Sequence, residues 1–388
     1  MLQVVSRYYT LYHYKVRIVM LGFPPSLMYL LRERLSFKIL YSSVDYILEM
    51  STRVFVLMFL ALMAKSSGEA PKIKLNDGNE MPALALGTFL GMENGVIVSK
   101  ENELVSVIVA AIDIGYRHID TAYIYNTEAE VGKALSITFD KGAIKREDVF
   151  ITTKLWNTHH QCDEVVEALR SQLNTLGLTY VDLYLMHWPM GFHSNNTYSD
   201  VDYMETWKGL ENAKMLGLTK SIGVSNFNKE QLARLLAEGY VKPAALQIEI
   251  HLLNVESKLV SFAQSHGITV MAYSPFGPLV KRFGQMFPGP KCDDPALLPI
   301  AKKYDKTVPQ IVLRWLVQRN IVPVFKTLNP SRLKSNMDIF DFNLTEEEMR
   351  ILGSFDNDTK YTLPSFWQDH PHYPFKKIPK PLPSPFIN

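Results

Sequence analysis

The chain has 388 residues, a hydrophobic fraction of 47% and a formal net charge of +2 at pH 7. This apolar content excludes a disordered or fibrous protein, and the length accommodates one large domain with appendages. No basic patch argues for nucleic-acid binding, and the two cysteines, Cys162 and Cys292, suit neither a disulfide framework nor a zinc site.

The first 70 residues form two segments outside the main domain. Residues 1–49 are an upstream extension with six basic and three acidic side chains. Residues 50–70 hold a basic start, the apolar run 54–64 and small or polar residues beyond it. The run is too short to span a bilayer, which takes about 20 residues, but this layout is typical of a secretory signal peptide. We therefore expect a secreted protein if translation starts at Met50; the alternative is a cytoplasmic one.

Three Asn-x-Ser/Thr triplets begin at Asn195, Asn343 and Asn357. They are acceptors for N-linked glycans if the chain enters the secretory pathway. Such triplets also arise by chance, so they add little to the case for secretion.

The main domain is predicted to run from residue 71 to residue 388. Its alternating stretch 72–82 contains Asp-Gly, which predicts a β-hairpin that plugs the floor of a barrel. Short apolar runs then alternate with amphipathic stretches such as 163–170. The predicted strands lie near 84–88, 117–121, 149–153, 181–186, 220–224, 245–249, 268–273 and 321–325. Eight strands that alternate with helices predict an α/β fold, the (β/α)8 or TIM barrel.

Two connections at the predicted C-terminal face are too long for simple turns. They span 188–203 and 275–295, and an aromatic, Pro-rich tail follows beyond about residue 355. Loops of this length usually build a binding site, so we expect them to enclose a small-molecule substrate.

Four polar residues follow three consecutive predicted strands. Asp120 lies at the end of the second strand and Tyr125 shortly after it, Lys154 lies at the end of the third and His187 at the end of the fourth. Each alone is more often a capping or ion-pair residue than a catalyst. Because a parallel barrel brings its strand ends together at one face, we expect the four side chains to form one site.

This combination is typical of an enzyme that reduces a ketone or an aldehyde. The reaction needs an acid that is still protonated at neutral pH, and a tyrosine such as Tyr125 meets that condition. We expect the ammonium of Lys154 to lower the pKa of Tyr125, and Asp120 to keep the buried Lys154 charged. A neutral His187 would donate a hydrogen bond to the carbonyl oxygen and stabilise the negative charge that develops there.

Three separated segments add a signature to these four residues. They are 115–132, with Glu128 at a set spacing, 220–227, and 324–336. Together they make residues 72–375 similar to the aldo-keto reductase family, and within it to the secreted branch that reduces 3-dehydroecdysteroids. The family uses NAD(P)H on a (β/α)8 barrel without a Rossmann domain. Phe325 departs from the pattern, because the family usually has a small apolar residue or Pro there.

The resemblance implies that NADPH is the cofactor. Lys326, Thr327 and Arg332 match the family's adenosine site, where two cations beside a hydroxyl favour a 2′-phosphate. The other cofactor positions that the resemblance implies are Gly87, Thr88, Ser225, Asn226, Gln247, Tyr273, Ser274 and Asn336.

Within that set, the resemblance assigns Ser225, Asn226 and Gln247 to the nicotinamide carboxamide. It assigns Tyr273 to stacking on the nicotinamide ring, and Ser274 and Asn336 to the pyrophosphate and adenine ends. The implied substrate pocket is lined by Phe89, Tyr123, Trp156, Trp188 and Trp367. The implied protein is a monomer that acts on a small carbonyl compound, with small aldehydes and sugars as open alternatives to a steroid.

Three other functions compete with this one. A metal-dependent hydrolase would use His159 with His160, or His370 with His372, but neither pair lies at a strand end, so we predict no metal site. A glycosidase would need two facing carboxylates, and Asp182 stands at a strand start, away from Glu249. A barrel that binds the cofactor in a sensing or structural role is the third alternative.

Overall fold

The computed structural model describes residues 68–93, 96–98, 100–281 and 286–380. The predicted upstream extension and the apolar run of the predicted signal peptide lie outside these residues. Within the described ranges, no helix is long and apolar enough to cross a bilayer. Cys162 and Cys292 are both free thiols.

Eight parallel strands close into a barrel. They are β3 (Ala85–Gly87), β6 (His118–Asp120), β7 (Phe150–Leu155), β8 (Val181–Met186), β9 (Thr219–Ser225), β10 (Ala245–Glu249), β11 (Thr269–Tyr273) and β12 (Ile321–Phe325). Each strand pairs with its neighbours in chain order, and β12 pairs with β3 to close the ring. All eight overlap the predicted strands, so the predicted (β/α)8 barrel is confirmed.

Helices alternate with the barrel strands. Those described are α1 (Glu101–Ile114), α2 (Glu128–Asp140), α3 (Cys162–Leu176), α4 (Tyr203–Met215), α5 (Lys229–Glu238), α6 (Ser257–Ser265), α7 (Leu298–Lys303), α8 (Val308–Gln318), α9 (Pro330–Met337) and α10 (Glu346–Gly353). Helix α3 shows why they form: Val165, Leu169 and Leu173 recur every four residues and are buried on one face. The helix ends at Gly177, whose φ of 66° is a left-handed conformation that glycine adopts without strain.

A hairpin closes the amino end of the barrel. Strands β1 (Lys72–Lys74) and β2 (Glu80–Pro82) pair antiparallel across a turn that contains Gly78 at φ 91°. Leu75 and Met81 are buried together with residues that line the barrel interior, including Leu183 and Met271. The predicted plug is therefore confirmed. Its polar turn is held by Asn79, whose Nδ2 donates to the Ser221 Oγ at 3.0 Å.

The long loops and the C-terminal tail lie at the carboxyl end of the barrel strands. A short antiparallel pair, β4 (Met92–Glu93) with β5 (Val96–Ile97), was not predicted from the sequence. The tail crosses this end and is fastened to it: the Glu249 carboxylate accepts the backbone N–H groups of Tyr361 at 2.9 Å and Thr362 at 2.8 Å. The Gln231 Nε2 donates to the His372 carbonyl at 2.8 Å. These contacts hold the tail above the strand ends where the four predicted catalytic residues lie.

Asp182 ties three strands together at the amino end. Its Oδ2 accepts the Arg146 Nη2 at 2.7 Å and the Ile151 backbone N–H at 2.9 Å, and its Oδ1 lies 3.0 Å from the Lys220 Nζ. Because the carboxylate is buried, removing it leaves two cations without their partner.

We expect Asp182→Ala to lower the free energy of unfolding by roughly 2–4 kcal/mol. The measurement is chemical denaturation followed by fluorescence. Glu80→Ala is the control, because its ion pair with Lys72 is exposed and is expected to change stability by less than about 1 kcal/mol. Equal losses in the two variants would contradict the structural role of Asp182.

Candidate active site

Three of the predicted catalytic residues meet around one ammonium group. The Lys154 Nζ lies 2.6 Å from the Asp120 Oδ1, 2.9 Å from the Thr121 carbonyl oxygen and 3.4 Å from the Tyr125 Oη. Asp120 ends β6, Lys154 lies near the end of β7, and Tyr125 lies in a 3-10 turn after β6. Three acceptors match the three donors of an ammonium, so the geometry suits a charged lysine.

The fourth residue, His187, completes the group. It follows β8, and its backbone N–H donates to the Leu155 carbonyl at 3.2 Å. Its ring lies edge-on to the Tyr125 ring, with 5.7 Å between the centroids, and 5.3 Å from the Trp156 ring. The Nδ1 atom is buried and has no hydrogen-bond partner among the described residues. The structure thus brings all four predicted residues together.

Burial is the largest effect on the pKa values of Tyr125, Lys154 and His187. Burial raises the pKa of the Tyr125 phenol well above 10, and the Asp120 carboxylate acts in the same direction. Burial also lowers the pKa of Lys154, although Asp120 opposes this effect. The pKa of His187 lies well below its usual value because of burial and then the nearby Lys154.

These directions bear on two of the expectations from sequence. The imidazole of His187 is neutral and the phenol of Tyr125 is protonated, as expected. The expected lowering of the Tyr125 pKa is not found, because burial, with the Asp120 carboxylate acting in the same direction, raises this pKa.

The residues predicted to hold the nicotinamide contact the catalytic group directly. The Gln247 Nε2 donates to the Asp120 Oδ2 at 2.7 Å. The Asn226 Nδ2 donates to the His187 carbonyl at 2.9 Å and lies 3.2 Å from the Ser225 Oγ, while its Oδ1 accepts the Tyr273 hydroxyl at 2.8 Å. This group therefore also fixes the backbone of His187 and the second oxygen of Asp120.

The residues predicted to hold the adenosine phosphate lie after β12. Lys326 and Arg332 are exposed, and within the described ranges neither forms an ion pair or a side-chain hydrogen bond. The Thr327 Oγ1 accepts the Asn329 N–H at 3.1 Å, and Asn329 caps the first turn of α9. Two unpaired cations beside a helix N-terminus suit an anionic group such as a phosphate.

The remaining predicted cofactor positions surround the same face. Gly87 ends β3, and a Cβ added there would contact the Phe325 carbonyl at 3.4 Å. The next residue, Thr88, accepts a hydrogen bond from the Thr127 hydroxyl at 3.0 Å. Ser274 follows β11 at φ 53°, and Asn336 is buried in α9.

A cavity of about 400 Å³ is connected to this group through Trp156, whose ring contacts the His187 ring, but none of the four residues lines it. Two of the predicted pocket residues, Trp156 and Trp367, line it. The complete lining is Ile124, Trp156, Asn157, Thr158, Phe192, Asn196, Thr197, Tyr198, Phe366 and Trp367. Half of these ten residues are aromatic, and they belong to the turn after β6, the loop after β7, the loop after β8 and the tail.

The other three predicted pocket residues lie elsewhere. Phe89 packs on the Tyr125 ring at 5.0 Å, and Tyr123 is partly exposed against His159. Trp188 does not line the cavity, since it is buried against the rings of Trp367 and Phe375. Its indole supports the wall from behind, because the tail packs over it.

Comparison with known proteins agrees with this geometry. Residues 83–357 match the aldo/keto reductase family. The aldo-keto reductase AKR2E4 of Bombyx mori is 44% identical over 310 residues, which are 79% of this chain and 99% of the silkworm protein. The chain belongs to the aldo/keto reductase family. Aldo-keto reductase family 1 member A1-A of Danio rerio is 40% identical over 324 residues, covering 78% of this chain and 98% of that protein.

Solved structures of aldo-keto reductases have the same fold. The crystal structure of the Bombyx mori reductase AKR2E4 in complex with NADP has a TM-score of 0.76 and covers 79% of this chain and 99% of that one. The structure of AKR2E5 complexed with NADPH has a TM-score of 0.79 at 44% identity and covers 82% and 97%. This chain is accordingly an oxidoreductase that acts on carbonyl compounds.

The structure also shows where the candidate residues of two competing functions lie. Asp182 and Glu249 lie at opposite ends of the barrel, so they are not a facing glycosidase pair. Asp182 accepts the Ile151 N–H, and Glu249 accepts those of Tyr361 and Thr362. Among the described residues, no group of His, Cys, Asp and Glu is arranged to hold a metal. His370 instead packs the tail, with its Nε2 3.0 Å from the Gly191 carbonyl and its Nδ1 accepting the His372 N–H.

Sequence reasoning missed a group of polar residues behind β7. Glu128 was noted only as part of a signature, whereas the structure links it to Thr153 and Gln172 by hydrogen bonds. Alternation along β7 was the available signal: Lys154 points into the barrel, so its neighbour Thr153 points outward. Three cavity residues, Asn157, Phe192 and Tyr198, carried no such signal because they lie in loops.

Proposed function

We propose that this reductase converts a ketone or an aldehyde to an alcohol, with NADPH as the cofactor and Tyr125 as the proton donor. The observation that carries the proposal is the ammonium of Lys154, which contacts both Tyr125 and Asp120. When bound, a reduced nicotinamide supplies the hydride. The chain's own residues then have to bind the carbonyl, deliver the proton and exclude water.

Each residue has a distinct part in that task. The Tyr125 hydroxyl is protonated and lies within reach of Lys154, so the phenolate left after proton donation faces a cation that stabilises it. Asp120 balances the charge of Lys154. The neutral imidazole of His187 donates a hydrogen bond to the carbonyl oxygen, and Asn226 keeps its backbone in place.

Two observations support NADPH over NADH as the cofactor: the positive charges near α9 and the cofactors bound in solved structures of relatives. Lys326 and Arg332, which form no ion pair with the described residues, offer two cations to a 2′-phosphate, which NADH lacks. The silkworm relatives have been solved with NADP and with NADPH. In the chain, Thr327 directly follows Lys326, and its hydroxyl lies close to the first turn of α9.

We expect Tyr125→Phe to lower kcat by roughly 10²–10⁴-fold, because the ring is kept while the transferable proton is lost. NADPH affinity, measured by fluorescence titration, should change less than about twofold. Tyr240→Phe is the matched control, since Tyr240 is 94% exposed and lies away from the site. Activity of Tyr125→Phe close to that of the wild type would show that another group donates the proton.

For the substrate, we propose a large apolar ketone of the 3-dehydroecdysteroid type. The cavity is lined by Trp156, whose ring contacts the His187 ring, and by Phe192 and Trp367. Flat aromatic walls suit a rigid ring system. A small aldehyde or a sugar would leave much of this apolar wall in contact with water. The tail contributes Trp367, so it takes part in substrate choice.

We expect kcat/KM for 3-dehydroecdysone to exceed that for glucose and short aliphatic aldehydes by at least about tenfold, because burial of apolar area favours the larger ligand. Trp367→Ala should reduce kcat/KM for the steroid ketone more than for the small aldehydes. The assay is NADPH consumption at 340 nm with product identification. A higher kcat/KM for glucose, together with unchanged kcat/KM values in Trp367→Ala, would contradict the steroid proposal. It would not contradict the proposed carbonyl reduction.

For localisation, we propose that the protein is translated from Met50 and secreted. The layout of residues 50–70 supports this, as do the three sequon asparagines, Asn195, Asn343 and Asn357, which are all exposed. Asn195 lies in a turn in which its Oδ1 accepts the Thr197 backbone N–H and hydroxyl. A glycan attached to the Asn195 Nδ2 would therefore extend into solvent.

We expect the protein translated from Met50 in insect cells to reach the medium with its N-terminus near residue 70 and a glycan on Asn195. Glycosidase treatment should shift its mobility, and Asn195→Gln should remove part of that shift. Mass spectrometry of the N-terminal peptide gives the start. An unglycosylated protein that stays inside the cells with residues 50–64 attached would show that the secretion proposal is wrong.

A further inference from the structure

A buried carboxylate lies behind the active site, on the outer side of β7. Glu128 is in the first turn of α2 and is 5% exposed. Its Oε1 accepts the Thr153 hydroxyl at 2.6 Å and the Gln172 Nε2 at 2.9 Å. Thr153 directly precedes Lys154, so this carboxylate and the active site contact opposite faces of the same strand.

Gln172 extends these contacts to the backbone of the active-site lysine. Its Nε2 also lies 2.9 Å from the Thr153 Oγ1 and 3.2 Å from the Lys154 carbonyl oxygen. Its Oε1 accepts the Tyr184 hydroxyl at 3.0 Å. The network thus joins α2, α3, β7 and β8 around Lys154.

The surrounding layer makes this network unusual. The other residues of α2 and α3 that are buried against the barrel are largely apolar, including Val131, Leu169 and Leu173. A carboxylate in such a layer is costly unless it is hydrogen-bonded, and packing alone would be served by an apolar side chain. The position of Glu128 is therefore better explained by its charge than by its volume.

Few ionisable groups face Glu128. Lys154 on β7 is the charged group, Tyr184 on β8 is a phenol, and the partners from α3 and β7, Gln172 and Thr153, are neutral. Burial raises the pKa of Glu128 to about 7, against the opposing effects of Thr153, Gln172 and Lys154. Glu128 accordingly changes its charge near physiological pH, next to the lysine that contacts Tyr125.

We propose that Glu128 is a positioning residue that sets the proton affinity of the Lys154 and Tyr125 pair from behind β7. This inference rests on the proposed role of Tyr125 as the proton donor. An ionised Glu128 stabilises the ammonium of Lys154 and disfavours the phenolate of Tyr125, so it keeps protons on both groups to higher pH. Its hydrogen bonds through Thr153 and Gln172 hold the end of β7 in register with β6 and β8.

The test is the pH dependence of kcat/KM for reduction of an aromatic aldehyde with NADPH. We expect Glu128→Gln, which keeps the shape of the side chain, to move the alkaline limb to lower pH by on the order of half a unit. Glu130→Gln is the matched control: this buried residue of the same helical turn forms no hydrogen bond or ion pair with the described residues. The alkaline limb of the Glu130→Gln pH profile should coincide with that of the wild type.

A second variant keeps the idea testable if Glu128→Gln does not fold. Thr153→Val retains the carboxylate and removes one of its donors, which raises the pKa of Glu128 further. The alkaline limb should stay in place, while the inflection near pH 7 that belongs to Glu128 moves to higher pH. An inflection that stays where it is in a folded Thr153→Val protein would overturn the proposal.

The remaining outcomes separate this inference from the proposed function. A folded Glu128→Gln protein with an unmoved alkaline limb overturns the inference, and so do equal shifts in Glu128→Gln and Glu130→Gln. If Tyr125→Phe is inactive while the Glu128→Gln limb is unmoved, only the inference fails. If Tyr125→Phe is active, the proposed proton donor fails first, and the inference falls with it.

Discussion

The ion pair between Lys154 and Asp120 is the interaction on which the site depends. Both groups are buried, so each charge loses its hydration and needs full compensation from the protein. The Thr121 carbonyl and the Gln247 amide provide it, and they bind the ends of β6, β7 and β10 to one another. An ammonium lying 3.4 Å from the Tyr125 hydroxyl is therefore possible only because the barrel closes around it.

Strand β7 links the two polar layers of the molecule. Its inward side chain, Lys154, belongs to the active site, and its outward neighbour, Thr153, belongs to the network of Glu128 and Gln172. A change in charge on the outer side acts on the inner side over a short distance through a medium of low polarity. Across this strand the two charges affect each other: Lys154 opposes the rise in the pKa of Glu128, and Glu128 opposes the fall in the pKa of Lys154.

The substrate end is built differently, from segments that are distant in the chain. Phe192 follows β8 and Trp367 lies in the tail, yet their rings are 4.9 Å apart. The tail reaches this position because Glu249 and Gln231 hold its backbone. The cavity is thus built mostly by loops and the tail, whereas the four polar residues are gathered by strand ends.

The sequence by itself determined the eight strands, the plug and the meeting of Asp120, Tyr125, Lys154 and His187. Periodicity is local, and a parallel barrel always gathers its strand ends at one face. Only the tertiary structure decided that Trp188 supports the cavity without lining it, that burial raises the pKa of Tyr125, and that Glu128 lies behind Lys154. Burial and contacts between distant segments depend on the packing of the whole chain, which no local pattern records.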